Sequence, residues 1–503
     1  MARTADKLHE LIHSMSMSEK RYFRLFANRY ESDSGKNYLV LFDLLEAMPV
    51  YDADQLSRRL EKAGLPTRHT ASDKNYLYHL ILRGLSAFYA GRTLTQRIKE
   101  ALHQVEILYE RGMHRQGLAL LRKIKPQAAY YSLYPLLLEI LAWEQKALAL
   151  EDDPAAMLES LEESVQALAK MDNLSAFTRL YYQMLQLRRE APCVRSAQDA
   201  EAYGDLFGHP FMARAEVAMS FQAELLYQRI RAMYFAGMRQ EQEELRELLA
   251  LLRLMRQDPE QYEQEFPLEV AQTLGRILWL RRREPEAEFR KELDGFQAFP
   301  ERVRKSRRDV ALQVLIDSHA AEMARALDLG QADAVRQQAA GLSALLDDPR
   351  LPAGDLRRSY LQYQLAAAWL SLGEPRSALP FLNALLNSGL GDTHPHRFRF
   401  ARLLNLAAHY ALGNLDLVRY EADSLFRALR AQPRPYCAER ALAAMFRKLA
   451  RAPVSAADVL QNGLAGLRSC LQDPFEQELA DQFGWDRWIR AQLAQGPMLE
   501  LRG

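Results

Sequence analysis

The sequence is poor in the residues that build disulfide-laced or β-rich folds. Its three cysteines, Cys193, Cys437 and Cys470, lie far apart with no C-x-x-C pair, which implies neither a disulfide framework nor a zinc knuckle. That usage suits a reducing cytoplasm. Runs of Val, Ile and Thr that would mark strands are nearly absent. No stretch reaches the ~18 consecutive apolar residues expected of a membrane span, and MARTADKLHELIHSM at the N-terminus lacks the apolar centre of an export signal. Charge of one dominant sign is missing too: 66 Lys and Arg against 65 Asp and Glu give a net charge of +1. No whole-molecule field then steers the chain to nucleic acid or an anionic membrane. The phosphate-cradling patterns G-x-x-x-x-G-K-[ST] and G-x-G-x-x-G and the nucleophile elbow G-x-S-x-G do not occur. No cofactor is implied, and the chain reads as non-enzymatic.

Helix formers are abundant: Leu, Ala, Arg, Glu and Gln dominate, so an all-α protein is expected. In LAAAWLSLGEPRSALPFLNALLN, residues 365–387, an apolar helix stops at Gly373 and a second begins with Ala378, Leu382 and Leu385 on one face. Glycine ends the first helix because it adopts a left-handed conformation without a Cβ clash. The small residue five positions later lets the two helices approach. The pattern recurs at Gly413 with Val418, Ala422 and Leu425, at Gly330 with Val335, and at Gly112 with Gly117. Further turns are expected at Gly237, near Arg283 with Pro285 in place of glycine, and near residue 152. In the Gly237 unit Gln242 stands at the small position, so altered packing is expected there. The turns at 237, 283, 330, 373 and 413 lie 40 to 47 residues apart, the spacing of helical-hairpin repeats.

The Gly-x4-Ala turn with Trp369 four residues before Gly373 resembles a tetratricopeptide repeat, a unit of about 34 residues, lengthened here by longer connections. SEKRYFRLFA and KNYL near the front and DPFE with WDRWI at the rear are similar to an uncharacterised bacterial family of helical-repeat proteins, which brings no assigned chemistry. The resemblance and the hairpin spacing together imply an α-solenoid of about eight tetratricopeptide-like hairpins over residues 96–453. An N-terminal helical domain over 1–95 precedes it, and a C-terminal helical cap over 454–503 follows, carrying Phe475, Phe483, Trp485 and Trp488. The N-terminal domain reads as five helices: Asp6 to Met15, Ser18 to Tyr30, Asn37 to Met48, Ala53 to Ala63 and Ser72 to Tyr89. Ser18 is its expected cap at the second. SGKNYLVLF and SDKNYLYHL, at Ser34 and Ser72, echo each other as Ser-capped helix starts.

Four local patterns carry candidate chemistry. His9, Glu10 and His13 form H-E-x-x-H, the spacing by which one helix face presents two zinc ligands beside a base. No strand precedes them and no third ligand is evident, so ordinary, partly exposed histidines flanking the buried stripe of Leu8, Leu11 and Ile12 are expected. His394 and His396 in THPHRF are read as loop histidines. ERVRKSRRD, with Arg302, Arg304, Lys305, Arg307 and Arg308, is read as a solvated helix start. Residues 52–90 form a helix, a turn at Gly64 and a second helix, a winged-helix-like or helix-turn-helix arrangement in which Lys74, Asn75 and Arg83 would face nucleic acid while Leu77, Leu80, Ile81 and Leu85 are buried. The principal reading is a cytoplasmic protein-interaction scaffold that takes a peptide or partner helix in a concave groove, with Glu224, Tyr227, Arg231, Tyr360 and Tyr363 on the groove wall. A transcription regulator with a DNA-binding N-terminal domain is the alternative.

Overall fold

The computed structural model describes residues 6–30, 35–91, 93–151, 153–257, 262–264, 266–303, 308–348, 350–351, 355–389, 391, 395–430, 436–451 and 456–500. Among these residues every regular element is helical. None of the helices is long and apolar enough to cross a membrane. The backbone divides into two compact units, 1–168 and 169–503. That division falls inside one long helix and does not coincide with the boundaries at 95 and 453 expected from the sequence.

The first unit opens with α1 (Lys7–Ser14), α2 (Met17–Tyr30), α3 (Gly35–Glu46), α4 (Ala53–Lys62) and α5 (Thr70–Tyr89), close to the five helices read from the sequence. Their apolar stripes meet in one core that includes Ile12, Phe23, Phe42, Leu45, Leu77 and Ile81. The caps differ from expectation. Ser16, not Ser18, starts α2: its hydroxyl accepts from Glu19 N at 3.3 Å while Glu19 Oε2 accepts from Ser16 N at 2.5 Å, a reciprocal capping box. Ser72 lies inside α5, which begins at Thr70, so it is no cap, and Ser34 lies outside the described residues. Gly64, at φ +74°, ends α4, and a 3₁₀ turn at Thr67–His69 leads into α5. No strand is present among the described residues to serve as a wing. Next come α6 (Leu94–Glu110), α7 (His114–Tyr130), α8 (Tyr134–Glu151) and the front of α9 (Pro154–Glu190), with α6 packed on α7 and α7 on α8.

The second unit holds the rest of α9, then α10 (Ala197–Phe207), α11 (Phe221–Gly237), α12 (Glu241–Met255), α13 (Pro267–Leu280), α14 (Glu286–Gln297), α15 (Arg308–Leu329), α16 (Ala332–Leu345), α17 (Leu356–Ser371), α18 (Pro375–Leu386), α19 (Pro395–Ala411), α20 (Leu415–Arg430), α21 (Cys437–Leu449), α22 (Ala456–Cys470), α23 (Gln477–Gln482) and α24 (Trp485–Ala494). Each of α11, α15, α17, α19 and α21 packs against the helix that follows it. The first helices also pack on one another in sequence, α13 on α15, α15 on α17, α17 on α19 and α19 on α21.

One turn chemistry joins most of these pairs. Gly112, Gly330, Gly373 and Gly413 all take φ between +70° and +76°. At Gly373 the glycine N–H reaches Leu370 O at 3.1 Å and Glu374 N–H reaches Trp369 O at 2.9 Å, which satisfies carbonyls the helix end would otherwise leave unpaired. Five residues beyond each glycine, Gly117, Val335, Ala378 and Val418 are buried. The Gly237 turn is different. Gly237 is helical, and the left-handed residue is Arg239 at φ +60°; a Cβ at Gly237 would lie 2.1 Å from the Tyr203 ring. This glycine therefore admits a neighbouring aromatic rather than making a turn, and the register shifts by two, so that Glu244 and not Gln242 is the buried residue five positions on. Ser132, at φ +54°, makes a turn between α7 and α8 that carries no glycine signal.

The C-terminal aromatics are core. Trp485 and Trp488 are each 2% exposed and share a cluster with Phe446, Leu442 and Phe483, whereas Phe475 packs against a separate cluster containing Phe177 and Tyr227. The expectation of no disulfide is corrected. Cys437, at the start of α21, and Cys470, at the end of α22, are bonded, with Cα atoms 5.6 Å apart. The antiparallel packing of those helices brings together two residues 33 apart in sequence. Cys193 is a buried free thiol.

Candidate functional site on the first helices

Arg276 on α13 holds the buried Glu244 in a two-pronged ion pair, Nε to Oε1 at 2.6 Å and Nη2 to Oε2 at 2.8 Å. Such a fork fixes both partners. On α15, Asp317 lies against Gly275, where a Cβ would sit 2.3 Å from its Oδ2, and it accepts from Gln313 Nε2 at 2.9 Å. Burial pushes the Asp317 carboxyl up to about 6. Tyr360 on α17 is half-buried, and burial raises its phenol while the charges of Arg276 and Arg397 oppose the rise.

Arg397, in the first turn of α19, stands out from these. Its Nη1 donates to Ser359 Oγ at 3.0 Å and its guanidinium lies over the Tyr360 ring at 5.3 Å. Burial lowers its pKa, opposed by Tyr360 and Tyr363. Among the described residues no carboxylate pairs with it. A half-buried cation without an anion is costly, and the arrangement is chemically equipped to take one. Gln364 Oε1, one residue beyond Tyr363, is also buried without a partner.

The groove residues proposed from sequence are placed as follows. Tyr360 belongs to this cluster. Tyr363 is 4% exposed and Tyr227 5%, so both are inside the unit and not on a wall open to solvent; α17 is buried nearly all round, and Tyr227 packs on Phe177. Arg231 pairs with Glu247 at 2.7 Å and stacks near Phe207, Tyr227 and Phe235. Glu224 is half-buried in the first turn of α11. Arg276 and Arg397 were not foreseen, since an arginine's role depends on which helix supplies its partner. The nearest signal was Arg397 following the histidines of THPHRF.

A second polar cluster is closed. Arg195, between α9 and α10, places Nη1 3.0 Å from Glu439 Oε1 and lies within 3.5 Å of both Glu476 and Glu478, with its guanidinium 3.3 Å from the Tyr436 ring centre. Arg399 Nε donates to Glu439 Oε2 at 3.0 Å. Its Nη2 donates to His396 Nδ1 at 2.8 Å, and His396 Nε2–H donates to Glu190 O at 2.7 Å. Burial lowers His396 below the usual imidazole range, consistent with that neutral tautomer. Glu476 accepts from Cys437 N at 2.6 Å and Ala438 N at 3.1 Å, capping α21. Burial raises Glu478. Segments far apart in sequence are thereby tied together with little open space.

In the first unit the H-E-x-x-H histidines are committed to the backbone. His9 is buried rather than partly exposed, because its Nε2 bonds Met48 O at 2.6 Å; His13 Nε2 bonds Leu45 O at 3.3 Å, so the pair serves the carbonyls at the end of α3. No group of three or more metal-ligating side chains suited to an ion occurs among the described residues. Lys74 is held by Asp6 and by Tyr51 Oη, the latter at 2.9 Å, so it does not face outward as the DNA reading requires. Asn75 and Arg83 are exposed, Arg83 lying over Tyr76 at 5.8 Å. Arg281 pairs with Glu292, Arg282 and Arg283 pair with Asp328, and residues 304–307 of the basic run, like His394, lie outside the described residues. No protein-family model, curated protein or solved structure matches this chain.

Proposed function

We propose that this chain is a non-enzymatic interaction scaffold whose tetratricopeptide-like hairpins stack as a solenoid and take a peptide or partner helix against the row of first helices. The observation that carries the reading is Arg397: a half-buried guanidinium, oriented by Ser359 and Tyr360, that no carboxylate of the described chain neutralises. A partner that brings an acidic side chain supplies the missing charge, and Tyr360 beside it offers broad contact area at low entropic cost. Charge-assisted bonds to such an arginine contribute about 1.5–3 kcal/mol. The pairing of Lys74 with Asp6 and Tyr51 weighs against the DNA-binding alternative.

The test is parallel affinity capture from the native cell with the intact protein and with Arg397→Glu, followed by mass spectrometry. The reading expects a partner retained by the first and lost by the second, with the variant as stable as the parent. An identical set of captured proteins would overturn it.

A further inference from the structure

A second site lies on the opposite members of the hairpins. Between α16 and α18 a pocket of about 440 Å³ is lined by Ser343, Asp347, Trp369, Ser377, Pro380 and Phe381, with two alanines completing the wall. Its volume falls in the ~300–1,000 Å³ range of small-ligand sites. Its chemistry is one-sided: among the described residues no lysine or arginine lines it. Asp347 is exposed, and no hydrogen bond or ion pair engages its carboxylate among the described residues. Trp369 is half-buried, and among the described residues no lysine or arginine stacks on its ring. A carboxylate, two serines and an indole beside an apolar floor favour a positively charged guest.

We infer that this pocket binds an ammonium group on a short apolar stem, the stem against Trp369 and Phe381 and the charge at Asp347. A lysine side chain of a protein segment and a small free alkylamine present the same chemistry. The inference does not depend on the Arg397 reading, since it uses α16, α18 and the other face of α17.

Indole N–H resonances of the intact protein labelled at its five tryptophans give the readout, the Trp369 signal being assigned by its loss in Trp369→Phe. Titration with n-butylammonium chloride, at ionic strength held with sodium chloride, is expected to shift that signal saturably. n-Butanol, which has the stem without the charge, is expected to leave it in place. Asp347→Asn, at an exposed position where folding is not at stake, is expected to weaken binding at least tenfold. A shift that does not saturate, an equal response to n-butanol, or unchanged affinity in Asp347→Asn would overturn the inference. A capped Ala-Lys-Ala peptide binding more tightly than n-butylammonium assigns the site to protein lysines; weaker binding assigns it to free amines.

Discussion

Replacing Glu439 with glutamine removes one charge from the middle of the Arg195 cluster while keeping the side chain's shape. Glu439 is 0% exposed, and its two oxygens are each used, by Arg195 Nη1 and by Arg399 Nε, both at 3.0 Å. Glutamine keeps one acceptor and turns the other into an N–H₂ group facing a guanidinium. Arg195 retains Glu476 and Glu478 at 3.5 Å, but Arg399 is left with the neutral His396. Breaking a buried pair from one side costs about 3–5 kcal/mol, because an uncompensated charge stays behind. With a urea slope of about 3 kcal/mol/M, the unfolding midpoint of the unit containing residues 169–503 is expected to fall by about 1 M or more in far-UV circular dichroism. Glu439→Leu combined with Arg399→Met, which removes both charges of one pair, is expected to recover part of the loss, giving a coupling energy of at least about 1 kcal/mol in the double-mutant cycle. A midpoint change of Glu439→Gln below about 0.2 M, or strict additivity in the cycle, would refute the view that this cluster is dry and mutually neutralising.

Other perturbations follow from single contacts. Asp317 is held near 6 by burial, above its ordinary value, so its contribution is fully present below about pH 4 and is lost as pH rises through 6; Asp317→Asn should therefore be more stable than the parent at pH 7.5, by up to about 3 kcal/mol, with the difference gone at pH 4, and a pH-independent difference would contradict this. Gly373→Ala, at φ +76°, should cost about 1–2 kcal/mol from backbone strain; Gly237→Ala should cost about 1–3 kcal/mol by pushing on Tyr203, although alanine normally favours a helix, and stabilisation by Gly237→Ala would show that the ring moves freely. Reducing the Cys437–Cys470 bond, a separation of 33 residues, should lower stability by about 3–4 kcal/mol through loop entropy, and non-reducing peptide mapping that finds both thiols free would contradict the pairing. His9→Ala should destabilise by about 1–3 kcal/mol by leaving Met48 O unpaired, while a chelator leaves the melting of the parent protein unchanged; a large shift on chelation would revive the metal reading.

The helices were legible because their signals are local. Apolar stripes and left-handed glycines placed α15 to α20 and their turns with little error, since a glycine at φ above +70° excludes most alternatives in that position. Where a non-glycine residue takes the same conformation, as Ser132 and Arg239 do, the sequence offers no comparable mark, and the Gly237 register was misplaced by two residues for that reason. The candidate site was legible only in part. Tyr360 is half-buried beside Arg397, but Tyr363 and Tyr227 are buried because α17 and α11 are covered on more sides than a simple two-faced helix. The lack of a carboxylate beside Arg397 among the described residues and the joining of Cys437 to Cys470 depend on neighbours supplied by other helices, and spacing along the chain does not encode them.

The scaffold reading is tested most directly by placing a photo-crosslinking p-benzoylphenylalanine at Tyr360 in the full-length protein in its native cell and sequencing the adduct. The account predicts one discrete adduct whose attached peptide carries Asp or Glu beside the linked residue, and its disappearance when Arg397 is changed to Glu. Adducts that persist unchanged in Arg397→Glu, or peptides without an acidic residue, would contradict it.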